Sequence, residues 1–156
     1  MRVTSSSFSD GGTIDPRYAD QGCGGRNMRP ALTWEDAPEG TKSFAITIYD
    51  PDAPTGSGWW HWVVVDIPAG VTSLGEDADL PASAREWVND YGYVGYGGAC
   101  PPPGPAHHYI HTVHALPFER IPVDDGAPSA PLRFTILANE LANASITGLF
   151  ASGGQG

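Results

Sequence analysis

Three observations predict a mainly β fold for this 156-residue chain. Twenty glycines and fifteen prolines far exceed average usage, yet no collagen-like period or low-complexity tract accounts for them. That excess fits many turns between short strands. Three apolar, β-branched runs each end at a proline-containing breaker, and helix signals are few. The length suits a single domain, residues 1–156, large enough to bury a substantial core.

The elements follow in order. Residues 9–30 are rich in Gly, Asp, Arg and Asn and read as an extended surface excursion. The first strong strand runs from Ser43 to Tyr49 and meets the breaker Asp50-Pro51-Asp52-Ala53-Pro54. The second, Trp60 to Ile67, is almost continuously apolar, which predicts a central strand covered on both faces. The third spans His108 to Leu116 and stops at Pro117. Pro81 to Val88 reads as a short helix with proline in its first turn. Leu132 to Leu141 is a stronger helix, beginning after Pro131, with Phe134, Leu137 and Leu141 forming one apolar face. Ala144 to Phe150 reads as a final strand, and the tail Ala151 to Gly156 as loose.

Charge narrows the function. Eighteen acidic against eight basic residues leave a net charge of -10, with no Lys/Arg cluster. Such a surface disfavours nucleic acid and stable adhesion to an anionic bilayer. A small anion is not excluded, because local dipoles act inside a field screened over about 8 Å. No apolar run approaches the roughly 20 residues of a membrane span. The first residues lack the apolar stretch of a signal peptide, so the cytoplasm is the expected location. Cys23 and Cys100 fit no metal or redox spacing. A disulfide and two thiols both remain open, and compartment alone favours reduced thiols.

Three segments concentrate polar groups at strand ends. In Asp50-Pro51-Asp52-Ala53-Pro54 the prolines stiffen the corner, and its carboxylates suit turn capping as well as a site. In Trp59-Trp60-His61-Trp62, strict alternation places His61 with Val63 and Val65, opposite Trp60, Trp62 and Val64. A histidine among tryptophans needs partners for its ring nitrogens, whether as a core residue or as a ligand-binding group. In the third segment Gly97 and Gly98 permit a tight turn, Pro101, Pro102 and Pro103 stiffen a rim, and His107-His108-Tyr109 opens a strand. There His107, Tyr109 and His111 share one face, while His108 and His114 share the other.

That alternation weakens a metal reading. His107 and His111 stand about 13 Å apart along a strand, too far to share one ion. Asp50, His61 and His107 are a generic ligand set only if they converge, so no metal and no cofactor is assigned. No Gly-x-Ser-x-Gly elbow occurs and neither cysteine has a catalytic setting, so no catalytic residue is assigned.

Together the segments resemble the phosphatidylethanolamine-binding protein family, in its bacterial Raf-kinase-inhibitor-like branch. The resemblance rests on Leu32-Thr33-Trp34, Pro38 to Ser43, the Asp50 to Pro54 signature and His61-Trp62-Val63-Val64. It continues through Asn89-Asp90-Tyr91-Gly92, Gly95-Tyr96-x-Gly98, Pro101-Pro102-x-Gly104 and His107-x-Tyr109. It implies an antiparallel β-sandwich with short helices, one near the C-terminus. It also implies a pocket at one end of the sheet for phosphate, acetate-like anions or a phospho-headgroup. The pocket positions correspond to Asp50, His61, Pro102, His107 and Tyr109, with Trp59 and Tyr96 as wall and Asp52 in the same signature. The chain departs from the family pattern at His108, where Arg is usual, at His111 and at Arg29. Asp52 is the expected partner of His108.

The expected function is that of a non-enzymatic domain binding a small anionic ligand or phospholipid headgroup. His61, His107 and Tyr109 are the expected donors and Asp50 the group that orients a histidine. A second reading is an interaction module that inhibits a kinase or protease through rim loops at Gly56 to Trp59 and Pro101 to Ala106. A third is a weak hydrolase with His61 or His107 as general base. The resemblance also suggests a homodimer.

Overall fold

The computed structural model describes residues 1–152. Its three-stranded antiparallel sheet contains β1 (Arg2–Thr4), β2 (Leu32–Glu35) and β5 (Ser73–Leu74), in the order β1-β2-β5. The five-stranded antiparallel sheet contains β3 (Ser43–Asp50), β4 (Trp59–Pro68), β6 (Arg85–Glu86), β7 (His107–Leu116) and β8 (Ala142–Phe150). Its strand order is β6-β4-β3-β7-β8. One α-helix, α1 (Ser129–Asn139), precedes β8.

The core lies in two layers. Leu32 and Trp34 of the small sheet meet Phe44, Ile46, Trp62, Val64 and Val113 of the large one, with Trp34 edge-on to Phe44 at 5.5 Å. On the far face of the large sheet, Ala45, Val63, Val65 and Leu116 pack with Ile121 and with Leu132 and Ile136 of α1. The chain is therefore a β-sandwich with an added helical cover, and β4 is buried on both faces as its continuous apolar run predicts.

Two register shifts interrupt the pairing of β3 with β4, and one of them builds the site. Ile48 lies opposite Trp62 and Tyr49 opposite Trp60, which leaves His61 as the extra residue of a bulge. Trp60 consequently packs on the helix side with Val63 and Val65. His61 turns to the inter-sheet side, edge-on to Tyr109 at 5.2 Å, on the face that carries Trp62 and Val64. This corrects the strict alternation expected from the sequence, which an inserted residue breaks.

Other expectations change for equally local reasons. Residues 81–88 form no helix. Arg85 and Glu86 pair with Val65 and Val64 as an edge strand, and Trp87 N–H donates to Val63 O at 2.8 Å. The Arg85 guanidinium fixes that edge by donating to Asp66 Oδ2 at 2.6 Å, Ile121 O at 2.9 Å and Val123 O at 2.7 Å. Helix α1 exists but in a different phase. Leu132 and Ile136, four residues apart, face the sheet, while Phe134 and Leu137 are 75% and 61% exposed.

Residues 9–30 are more than a surface excursion. Asp15 and Asp20 cap two single 3₁₀ turns, Pro16–Tyr18 and Gln21–Cys23, and Ile14, Tyr18 and Ala19 are buried. Cys23 and Cys100 form a disulfide, which corrects the expectation of reduced thiols. That expectation rested on compartment, whereas the fold brings the two Cα atoms within 5.5 Å. Ser152 is buried with its hydroxyl on Pro101 O, so the tail is anchored at that residue. The remainder of the tail expectation, residues 153–156, lies outside the described residues. Among the described residues no helix is long and apolar enough to cross a membrane.

Candidate ligand-binding site

Adjacency of three strands builds the site. β3 pairs with both β4 and β7, so Asp50 at the end of β3 meets the bulge of β4 and the start of β7. Asp50, His61, His107 and Tyr109 thereby line one cavity of about 310 Å³, together with Trp59 and Pro102. Ala53, Pro54, Thr55, Tyr91, Cys100 and Pro101 complete the wall. Tyr91 is not among the site residues the sequence predicts, although it stands in the Asn89-Asp90-Tyr91-Gly92 motif. Its ring is edge-on to Trp59 at 5.3 Å and to His61 at 5.7 Å.

Asp50 is only 2% exposed and both of its oxygens are used. Oδ1 accepts from Asp52 N–H at 2.8 Å and Oδ2 from His107 Nδ1 at 2.7 Å. Turn capping and histidine orientation are therefore one arrangement. An ionised carboxylate only accepts, so Nδ1 of His107 carries the proton and Nε2 is the nitrogen left over.

His61 is fixed in the same sense by the backbone. Its Nδ1 donates to Gly97 O at 2.7 Å, and its own carbonyl accepts from Gly97 N–H at 2.9 Å. Burial holds the imidazole below its ordinary pKa, opposed in part by the Gly97 carbonyl and the Asp50 charge. A neutral ring with Nδ1 protonated leaves Nε2 with a lone pair.

Two donors remain without partners. The Tyr109 hydroxyl and Trp59 Nε1 are both buried and make no hydrogen bond among the described residues. Burial, aided by the neighbouring Asp50 charge, raises the Tyr109 pKa, so the hydroxyl keeps its proton. Trp59, expected as wall, carries one of these two buried polar atoms.

The segment behind His61 is held by the excursion of residues 9–30. Asn27 Nδ2 donates to Tyr96 O at 3.1 Å, and Asn27 Oδ1 accepts from Gly98 N–H at 2.6 Å. Tyr96 does not line the main cavity. Its hydroxyl donates to Tyr18 O at 2.7 Å, and its ring borders a cavity of about 10 Å³ behind His61. A Cβ at Gly98 would sit 2.4 Å from Tyr18 O, which explains a glycine there. The Cys23–Cys100 disulfide ties the same region to the cavity wall.

The other expected residues divide cleanly. Asp52 lies outside the cavity and accepts from His108 N–H at 2.8 Å and Nδ1 at 2.7 Å. That is the pairing anticipated where an arginine is usual. His111 donates from Nδ1 to Tyr109 O, and burial lowers its pKa to about 4. His114 bridges Thr47 Oγ1 at 3.0 Å and Glu140 Oε2 at 2.6 Å on the opposite face. No group of three metal-binding side chains occurs among the described residues, and no Lys or Arg lines the main cavity.

Comparison with known proteins places this geometry. The family model described as phosphatidylethanolamine-binding protein matches residues 4–151. The UPF0098 protein YbcL of Escherichia coli K12 is 50% identical over 96% of this chain and 87% of its own length. YbhB of the same organism is 47% identical over 97% of this chain and 100% of its own. The crystal structure of E. coli YbcL, described as a new member of the mammalian family, superposes with a TM-score of 0.93. At 48% identity that match covers 97% of this chain and 98% of the other. A Chlamydia trachomatis homologue superposes with a TM-score of 0.85 at 28% identity, covering 97% of each chain. The chain belongs to the phosphatidylethanolamine-binding protein family.

Proposed function

We propose that the chain is a binding domain whose pocket accepts a small anion such as phosphate or a phospho-headgroup. One observation carries this reading: Tyr109 and Trp59 line the same cavity, and the O–H of one and the Nε1–H of the other are buried without a partner among the described residues. An unpaired buried donor costs about 1–3 kcal/mol, a cost that an acceptor supplied by a ligand removes. An oxyanion is the acceptor that serves both donors, and Pro101, Pro102 and Tyr91 give the apolar surround usual for such pockets. Isothermal titration with inorganic phosphate and phosphorylethanolamine tests it. Saturable binding is expected, and heats indistinguishable from dilution for both would overturn it.

A second reading is favoured by the pocket's rim. Tyr91 and Tyr93 stack at 6.0 Å and Val94 is 64% exposed, an apolar ridge continuous with the pocket wall. An inhibitory contact with a kinase or protease would use this ridge and residues 101–106. A pull-down that survives Tyr109→Phe and fails with Tyr93→Ser supports that use. The Cys23–Cys100 disulfide supports an oxidising compartment over the cytoplasm expected from the sequence.

A further inference from the structure

We propose that Cys23–Cys100 is an exchangeable disulfide whose state sets the affinity of the pocket, with a small dithiol as its reductant. The effect on affinity rests on the anion-binding reading of the pocket, whereas the exchange at the sulfur atoms does not.

Cys100 is itself part of the cavity wall, beside Pro101 and Pro102. Few other bonds hold that stretch. Ala99 O accepts from Asp20 N–H at 2.9 Å just before it, and the Ser152 hydroxyl donates to Pro101 O. Residues 102–105 make no hydrogen bond among the described residues, and three of the four are prolines with no N–H to offer. The sulfur–sulfur bond and the Ser152 hydroxyl are thus the two tethers on residues 100–105. Opening the disulfide removes one of them at the cavity itself.

The Cys23 end keeps its own support. Cys23 closes a 3₁₀ turn capped by Asp20, whose carboxylate accepts from Gly22 N–H at 2.7 Å and whose carbonyl accepts from Cys23 N–H at 3.0 Å. Asn27 ties the same excursion to Tyr96 and Gly98 without the disulfide. Cys23 therefore stays beside the wall when the bond opens and is placed to re-form it.

Access favours attack at Cys23. It is half-buried between Gly22 and Gly24, both exposed and neither with a side chain to cover the sulfur. Cys100 stands between Ala99 and Pro101, both buried. Arg17 and Arg26 border Gly24 and favour an approaching thiolate in a chain of net charge -10. A thiolate of the dithiol attacks Cys23 Sγ, the S–S bond breaks, and Cys100 Sγ leaves with the electron pair and takes a proton from water. The second thiol of the reductant, also as thiolate, then displaces Cys23 Sγ, which is protonated in turn. The reductant departs as its own disulfide, having passed two electrons to the protein.

Linkage makes the effect reciprocal. A ligand that prefers the oxidised chain by some factor makes the bond harder to reduce by the same factor. For a two-electron couple, a tenfold preference lowers the midpoint by about 30 mV.

Isothermal titration of the full chain with phosphorylethanolamine, with the disulfide intact and after reduction by dithiothreitol, reads the affinity. The reduced chain is expected to bind roughly tenfold more weakly. A redox titration in dithiothreitol buffers should show the midpoint fall by about 30 mV when phosphorylethanolamine is saturating. Amide exchange read by mass spectrometry should speed up on reduction in a peptide spanning residues 96–108 and stay level in β3 and β4. The variant Cys23→Ser, Cys100→Ser should bind like the reduced chain and ignore dithiothreitol. The reduced wild-type chain carries the test should that variant not fold. Equal affinity in the two states with an unmoved midpoint would overturn the proposal and leave the anion site standing. Absence of binding to the oxidised chain would count against the anion reading instead. Amide exchange then decides whether the disulfide governs the wall: a local increase supports it, and unchanged exchange at residues 96–108 overturns it. Loss of native circular dichroism on reduction would also overturn it, since the bond would then hold the whole fold.

Discussion

Asp50 and His107 are joined by a 2.7 Å hydrogen bond between two nearly buried side chains, one closing β3 and the other opening β7. The bond links the fold to the pocket, because the same carboxylate also caps the turn at Asp52. Asp50→Ala leaves two donors unpaired, His107 Nδ1–H and Asp52 N–H. It is expected to lower unfolding free energy by about 2–4 kcal/mol, read by urea denaturation at neutral pH. Asp50→Asn keeps an acceptor and the approximate shape, so it should cost clearly less. Equal losses for the two variants would mean that the ionic character of the bond matters more than its geometry.

Tyr109→Phe separates binding from stability. The hydroxyl makes no hydrogen bond among the described residues, so its removal relieves an unsatisfied buried donor. Stability should stay level or rise by up to about 1 kcal/mol, while phosphate affinity falls roughly tenfold. A thermal melt together with a titration checks both halves. A clear loss of stability would show that the hydroxyl is satisfied in the free protein.

The strands and the polar corner were legible because each is a local statement: an apolar run ending at Asp50-Pro51, another at Pro68, a third at Pro117. What escaped is set by contacts distant in sequence. No pattern within Trp60 to Ile67 announces that His61 is an extra residue, since a bulge exists only relative to Ile48 and Tyr49 across the ladder. The pairing of Cys23 with Cys100 spans 77 residues and depends on how the 3₁₀ turns dock beside Gly98 and Ala99. Trp59 reads as an aromatic wall, and only the fold shows that its indole N–H lacks a partner among the described residues. The sequence pattern puts helix α1 in the wrong phase, because Phe134, Leu137 and Leu141 outweigh Leu132 and Ile136. The packing against Leu116 and Ile121 decides otherwise.

The disulfide closes a long loop and borders the cavity through Cys100. Chain-entropy reasoning over a separation of 77 residues gives a stabilisation of about 4–5 kcal/mol. Protein purified without reductant should show no free thiol in an Ellman titration under denaturing conditions. The double variant Cys23→Ser, Cys100→Ser should unfold at a correspondingly lower denaturant concentration. Anion affinity should fall less than stability, because Asn27 and Tyr96 hold the segment behind His61 independently. Two titratable thiols in the purified protein would contradict the pairing outright.

His111 makes stability depend on pH. Burial lowers its folded pKa to about 4, below the ordinary histidine value near 6.5. Between those values the unfolded chain binds a proton that the folded chain does not. Stability from this residue is therefore complete above about pH 6.5 and declines as pH falls toward 4, by on the order of 3 kcal/mol. The buried His61, also lowered, acts in the same direction. His111→Gln carries no titrating group, so its stability should fall less steeply across that window, by up to about 1.4 kcal/mol per pH unit. Denaturant unfolding of both proteins at several pH values measures the two slopes. Parallel slopes would mean that His111 is protonated in the folded state, which requires an acceptor at Nε2 inside the small cavity it shares with His61 and Tyr96.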